Sequence, residues 1–128
     1  MIVDSDLIIL ASKPDNPDVQ TWVIQHRGSI SAITRVEVLG CRKLKESERM
    51  ILDLILERLR ALPITDPALD EAIRLKQSKK MSLGDNIIAG TALLNGGELA
   101  TRNLKDFQNI TGLIASDPTR PAVSVGAL

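Results

Sequence analysis

Short apolar runs alternate with stretches of helical pattern along this chain, and that alternation limits the folds open to it. The apolar runs lie at residues 1–3, 29–33, 62–65, 98–101, 113–115 and 123–125. Strands that alternate with helices pair in parallel through right-handed crossovers. We therefore predict an α/β fold for residues 1–128 as one domain, with a four- or five-stranded, mainly parallel sheet between two layers of helices.

Six helices and one short helical turn are expected between these strands. They are predicted over residues 7–11, 18–27, 34–44, 47–62, 66–80, 82–94 and 104–107. Gly28 is expected to end the second helix, while Thr34 and Ser47 are expected to cap the third and fourth. In the fifth helix, Leu69 and Ile73 are expected to face inward.

The predicted helix over residues 47–62 is apolar on nearly every side. Its polar stripe is narrow and consists of Asp53, Glu57 and Arg60. A helix of this kind needs cover on most of its surface, which a small monomer hardly supplies. Two interpretations stay open: the helix contacts a partner subunit or partner helix, or it lies at the centre of the core.

The composition excludes several classes of protein. Cys41 is the one cysteine and His26 the one histidine, so one chain cannot build a Cys/His zinc site or a disulfide framework. We expect Cys41 in the core and His26 at a helix end, outside any catalytic site. Sixteen lysines and arginines balance sixteen acids, which excludes a basic nucleic-acid arm. With no signal peptide and no apolar span, a cytoplasmic location is expected.

Four acids stand where the predicted strands end or the following helices begin: Asp4, Glu37, Asp85 and Asp106. Ligand sites of open parallel sheets lie beyond the carboxyl ends of the strands, so these side chains could converge. Each also has a purely structural interpretation. Asp85, for example, lies three residues after Ser82, which is the spacing of a capping box.

The segments MIVDSDLII, ITRVEVLG, MSLGDNIIAGTAL and LATRNLKDF together resemble the PIN domain, in particular the VapC-type ribonuclease toxins of bacterial toxin-antitoxin pairs. The resemblance implies that Asp4, Glu37, Asp85 and Asp106 hold Mg²⁺ or Mn²⁺ for RNA cleavage. It also implies a homodimer, an antitoxin protein as partner, and a supporting role for Ser5, Asp6, Thr101 and Asn103. The opening Asp-Ser-Asp departs from the common Asp-Thr-Asn, which leaves the role of Asp6 open. Asn103 could stand where many members have their fourth carboxylate.

Hard divalent cations prefer carboxylate oxygens and keep several waters, which suits a site without His or Cys. Basic side chains that flank the acids are candidates for contacts with RNA phosphates. These candidates are Arg35, Arg42, Arg102 and Lys105.

Two other functions compete with the nuclease. Asp4 and Asp6 also resemble the opening motif of HAD-like phosphatases, in which the first acid is the nucleophile. Against this, Leu7 and Ile8 replace the usual following residues, and Ala89 stands where a second late acid is expected. The other alternative is a catalytically silent module of the same fold that binds RNA or protein.

Overall fold

A computed structural model describes residues 1–120 of the chain. Its five strands form one sheet in the order β3-β2-β1-β4-β5, and every neighbouring pair is parallel. They are β1 (Ile2–Val3), β2 (Ser29–Ser31), β3 (Arg60–Leu62), β4 (Glu98–Ala100) and β5 (Ile114–Ser116). The predicted α/β class and parallel sheet are confirmed. The strand predicted at 123–125 lies outside the described residues.

Seven helices flank the sheet within residues 1–120: α1 (Ser5–Ala11), α2 (Pro17–His26), α3 (Ala32–Leu39), α4 (Glu46–Glu57), α5 (Asp66–Ser78), α6 (Leu83–Leu94) and α7 (Leu104–Phe107). Adjacent residues of β1 show how the layers form. Val3 belongs to a core shared with α1, α2 and α4, whereas Ile2 belongs to a second core with α5, α6 and α7. Successive strand residues point to opposite faces, so the sheet is covered on both sides. None of these helices combines the length and apolarity needed to cross a membrane.

The predicted bounds of α3 and α4 were wrong. Ser31, not Thr34, caps α3, because its Oγ accepts from the backbone N–H of Ile33, and Thr34 is buried inside the helix. Lys45, not Ser47, is the N-cap of α4, where Glu48 accepts from its backbone N–H at 2.8 Å. The helix ends at Glu57 because the chain then enters β3, and so it does not reach Leu62.

Two smaller predictions also differ from the structure. Arg27, with φ 44°, is the left-handed residue that ends α2, so Gly28 is not the cap. In α5, Leu69 and Ile73 are exposed, because the helix packs on α6 through the smaller Ala68 and Ala72.

The apolar surface of α4 is only half covered. Leu52, Ile55 and Leu56 are buried, whereas Met50 and Leu54 are 63% and 60% exposed. The central-core interpretation therefore does not hold for the whole helix. Among the described residues, one apolar side of α4 is thus left exposed.

The turn before β4 depends on glycine. Gly97 has φ +76°, and a Cβ there would lie 2.4 Å from the carbonyl oxygen of Gly112. Gly96 has φ +96° but nothing within 4 Å of such a Cβ. We expect Gly96→Ala to lower the free energy of unfolding by about 1–2 kcal/mol, and Gly97→Ala by a further ~1–3 kcal/mol from the backbone clash. Urea denaturation of the two variants measures the difference; equal losses would contradict the role of the close approach.

Candidate functional site

The carboxyl edge of the sheet gathers acids from four distant segments of the chain. Asp4 follows β1 and Thr101 follows β4, and these two strands are neighbours. Glu37 lies on α3, Asp85 in the first turn of α6, and Asp106 on α7. The parallel topology thus brings the four predicted acids to one end of the sheet.

Asp4 is the most deeply buried of these acids. Its side chain is 5% exposed, and its oxygens accept from the backbone N–H of Ser5 at 2.8 Å and from Thr101 Oγ1 at 2.7 Å. Burial, followed by the negative charge of Asp6, raises the pKa of Asp4 to about 7, although both hydrogen bonds oppose the shift. A carboxyl group in this position is costly to ionise unless a cation compensates its charge.

Asp6 lies beside Asp4 and has an unsatisfied oxygen. Its Oδ2 accepts from the backbone N–H of Arg102 at 3.1 Å and lies 3.4 Å from Thr101 Oγ1. Among the residues described, no hydrogen-bond partner reaches its buried Oδ1. Burial raises the pKa of Asp6 as well. Buried polar atoms are nearly always paired, so this oxygen is suited to accept from water or to contact a cation.

Asp85 lies in the first turn of α6, three residues after the residue that caps this helix. Ser82 caps α6, because its Oγ accepts from the Asp85 backbone N–H at 3.2 Å. The pKa of the Asp85 carboxyl group also depends on the other acids. Burial is the largest cause of its raised pKa, and the negative charges of Asp106, Glu37 and Asp6 act in the same direction.

Glu37 and Asp106 form the exposed rim of the group. Ser5 Oγ donates to Glu37 Oε1 at 2.6 Å, and Asn103 Nδ2 donates to Asp106 Oδ2 at 2.5 Å. The backbone N–H of Asn103 in turn donates to Thr101 Oγ1 at 2.9 Å. Three of the polar residues predicted to support the acids, Ser5, Thr101 and Asn103, therefore each donate to one of them. The choice between Asn103 and Asp106 as the fourth site residue stays a prediction.

The donor set fits a hard divalent cation, although it is not arranged as a closed cage. Within residues 1–120, no three acidic, His or Cys side chains are close enough together to hold one ion. Mg²⁺ is commonly bound by one or two carboxylates and several waters, so three converging protein ligands are not required. The raised pKa values and the unpaired Asp6 oxygen belong to buried carboxyl groups whose ionised form a cation would stabilise. The role of each acid stays a prediction.

The contacts of Asp6 were not predicted from the sequence. We expected it beside the acids with an undefined role, whereas its buried oxygens lie between Asp4 and the chain after β4. Its place in the first turn of α1, two residues after Asp4, was the available signal.

The predicted basic residues divide into two groups. Arg102 and Lys105 line a cavity next to the acids, whereas Arg35 and Arg42 are exposed on α3 and just after it. His26 stacks on Trp22 with ring centroids 4.3 Å apart, at the exposed end of α2. Cys41 is half-buried and packs against the core that contains Val3.

Known proteins resemble this chain in sequence and in structure. The PIN domain family matches residues 1–113. A chain of a toxin-antitoxin complex from Klebsiella pneumoniae is 30% identical, with a TM-score of 0.68 over 88% of this chain and 94% of that chain. VapBC-1 from nontypeable Haemophilus influenzae is 26% identical, with a TM-score of 0.65 over 91% and 96%.

A third similarity concerns the fold alone. DNA-bound VapBC from Salmonella typhimurium is 20% identical, with a TM-score of 0.73 over 91% of this chain and 96% of that chain. A comparison with curated proteins finds no match.

Proposed function

The chain belongs to the PIN domain family, and from that premise we propose that it is a divalent-metal-dependent endoribonuclease, the toxin of a toxin-antitoxin pair. The observation that carries the proposal is the group of five carboxylates at one sheet edge, which includes buried Asp4 and the unpaired Asp6 oxygen. We propose residues 1–128 as one domain acting in the cytoplasm, where RNA and an antitoxin are both available.

We propose Asp4, Glu37, Asp85 and Asp106 as the residues that hold Mg²⁺ or Mn²⁺, directly or through water. When bound, such an ion neutralises phosphate charge and lowers the pKa of water, and it stabilises the leaving oxygen. Thr101 donates to Asp4 and so fixes its carboxylate, while Ser5 and Asn103 orient Glu37 and Asp106. The ionised carboxylates also accept hydrogen bonds from the attacking water and orient it. Arg35, Arg42, Arg102 and Lys105 are proposed to contact substrate phosphates.

Two partners follow from the same proposal. The related structures are toxin-antitoxin complexes, which supports an antitoxin that covers the acids and prevents cleavage. A homodimer is supported by the exposed apolar side chains Val36, Met50 and Leu54, which are 60–71% exposed in the single chain.

The experiment is a cleavage assay with RNA and DNA of one sequence, each with Mg²⁺, Mn²⁺ or EDTA. We expect RNA cleavage with either ion and none with EDTA. Absence of cleavage in every condition, despite intact folding, would favour the silent binding module. Cleavage that persists in EDTA would reject metal dependence. A covalent phosphate on Asp4 would instead favour the phosphatase.

Gly84 offers a test of Glu37 without removing any acid. A Cβ at Gly84 would lie 2.6 Å from Glu37 Oε2, and the exposed Glu37 side chain can move away. We expect Gly84→Ala to displace that carboxylate and weaken Mn²⁺ binding by roughly tenfold, while the free energy of unfolding changes by only about 0.5 kcal/mol. Calorimetric titration with Mn²⁺ measures the affinity. Unchanged affinity in a folded variant would exclude Glu37 from the metal site.

A further inference from the structure

The molecule has zero formal net charge, yet its cations are unevenly distributed around the acids. A cavity of about 680 Å³ lies between α7 and β5, and its walls include Arg102, Lys105 and Arg120. No acidic residue lines it within the described part of the chain. A polyanion that approaches the acids is therefore attracted along this side.

The cavity lies beside the acids, to which two of its lining residues are hydrogen-bonded. Arg102 donates its backbone N–H to Asp6, and Asn103, which also lines the cavity, donates its side-chain amide to Asp106. A strand whose cleaved phosphate lies at the acids thus enters the cavity directly.

Two further depressions lined by basic side chains follow the cavity on the side away from the acids. Asn109 is shared with a second depression, and Ser78 and Lys79 connect that depression with a third, which Lys76 and Lys80 also line. Lys79 Nζ additionally donates to the Gln108 carbonyl at 2.6 Å, which holds this charge at the far end of the first cavity.

Arg102 also borders a cavity of opposite character. That cavity, of about 580 Å³, is lined by Asp15 and Asp18 together with Trp22. Phosphates are repelled there, so the two sides of Arg102 are not equivalent for a nucleic-acid strand.

We propose that a basic track binds the phosphate backbone of the RNA strand on one side of the cleaved bond, an inference that rests on the proposed function. The track consists of Lys76, Lys79, Lys80, Arg102, Lys105 and Arg120. Within the described residues, the one aromatic side chain that lines these cavities is Phe107, which is buried in the core, so binding is through charge and is independent of sequence. The ion pair of Arg120 with Asp117 joins Nε to Oδ2 at 3.3 Å, and the Arg120 side chain is 70% exposed, so its terminal nitrogens can reach a phosphate.

The test measures the binding of labelled oligouridylate by fluorescence anisotropy in EDTA, where the proposed cleavage does not occur. Lys105→Gln with Arg120→Gln removes two charges from the track. Arg27→Gln with Arg58→Gln is the matched control, because these two arginines line a separate depression before β2 and β3, at the amino edge of the sheet. Circular dichroism establishes that both double variants are folded.

We expect the track variant to bind roughly 25-fold more weakly at about 0.1 M salt, with the slope of log Kd against log salt lower by about 1.4. The control should keep the wild-type slope. Equal losses in both variants, no loss in the track variant, or no binding by the wild type would each overturn the proposal. Because binding is measured without metal, a wild type that binds through the track but never cleaves would reject the nuclease and retain the track.

Discussion

Asp4→Asn is expected to lower the rate of RNA cleavage by roughly a thousandfold, since a metal-bound transition state gains several kcal/mol from its ion. The amide retains the shape of the side chain and can still accept from Ser5, so the fold should persist. The rate is measured with a fluorogenic RNA in saturating Mg²⁺ or Mn²⁺. Asp53→Asn, which changes an exposed acid on α4, is the matched control and should cleave at the wild-type rate.

Cleavage by Asp4→Asn at the wild-type rate would exclude Asp4 from the reaction. Loss of activity together with loss of the circular dichroism signal would indicate unfolding instead. Circular dichroism therefore distinguishes a chemical role of Asp4 from a structural one.

The metal-free protein is expected to lose stability as the pH rises, which is the reverse of ordinary acid denaturation. Asp4 has its pKa raised from 3.8 to about 7 in the folded state, and the pKa values of Asp6 and Asp85 are also raised. Between pH 3.8 and about pH 7, Asp4 keeps its proton in the folded protein but has released it in the unfolded chain. The free energy of unfolding should therefore fall by up to roughly 4 kcal/mol between about pH 4 and about pH 8.

Urea denaturation in EDTA at several pH values measures this fall. In Asp4→Asn the largest contribution is absent, so the fall should be smaller. Saturating Mn²⁺ should restore stability most at the alkaline end, because only ionised carboxylates bind the ion. A wild-type stability that stays level or rises through this range would contradict the raised pKa values of the buried acids at the sheet edge.

The sheet edge could be predicted from the sequence because local signals coincide there. The apolar run before Asp4 has no alternation and ends in an acid, which is typical of a buried parallel strand that reaches a site. Ser82 precedes α6 by one residue, so both the cap and the position of Asp85 followed from spacing. The family resemblance added the grouping of the acids, which periodicity alone leaves open.

Other features depended on contacts between distant residues. The apolar pattern over 47–62 continues through β3, because a short edge strand and a helix end look alike in sequence. Asp6 was ambiguous because its partners, Thr101 and the Arg102 backbone, are about a hundred residues away. Arg120 had no local signal, since it joins Arg102 and Lys105 only through the pairing of β4 with β5.

The central claim is that the acids around Asp4 form one cation site. Anomalous diffraction from a crystal containing Mn²⁺ tests it most directly, because the signal locates the ion without reference to activity. We expect a peak beside Asp4, within ligand or water-bridged distance of Glu37, Asp85 or Asp106. A fully occupied Mn²⁺ peak elsewhere, with none at the carboxyl edge of the sheet, would contradict the claim.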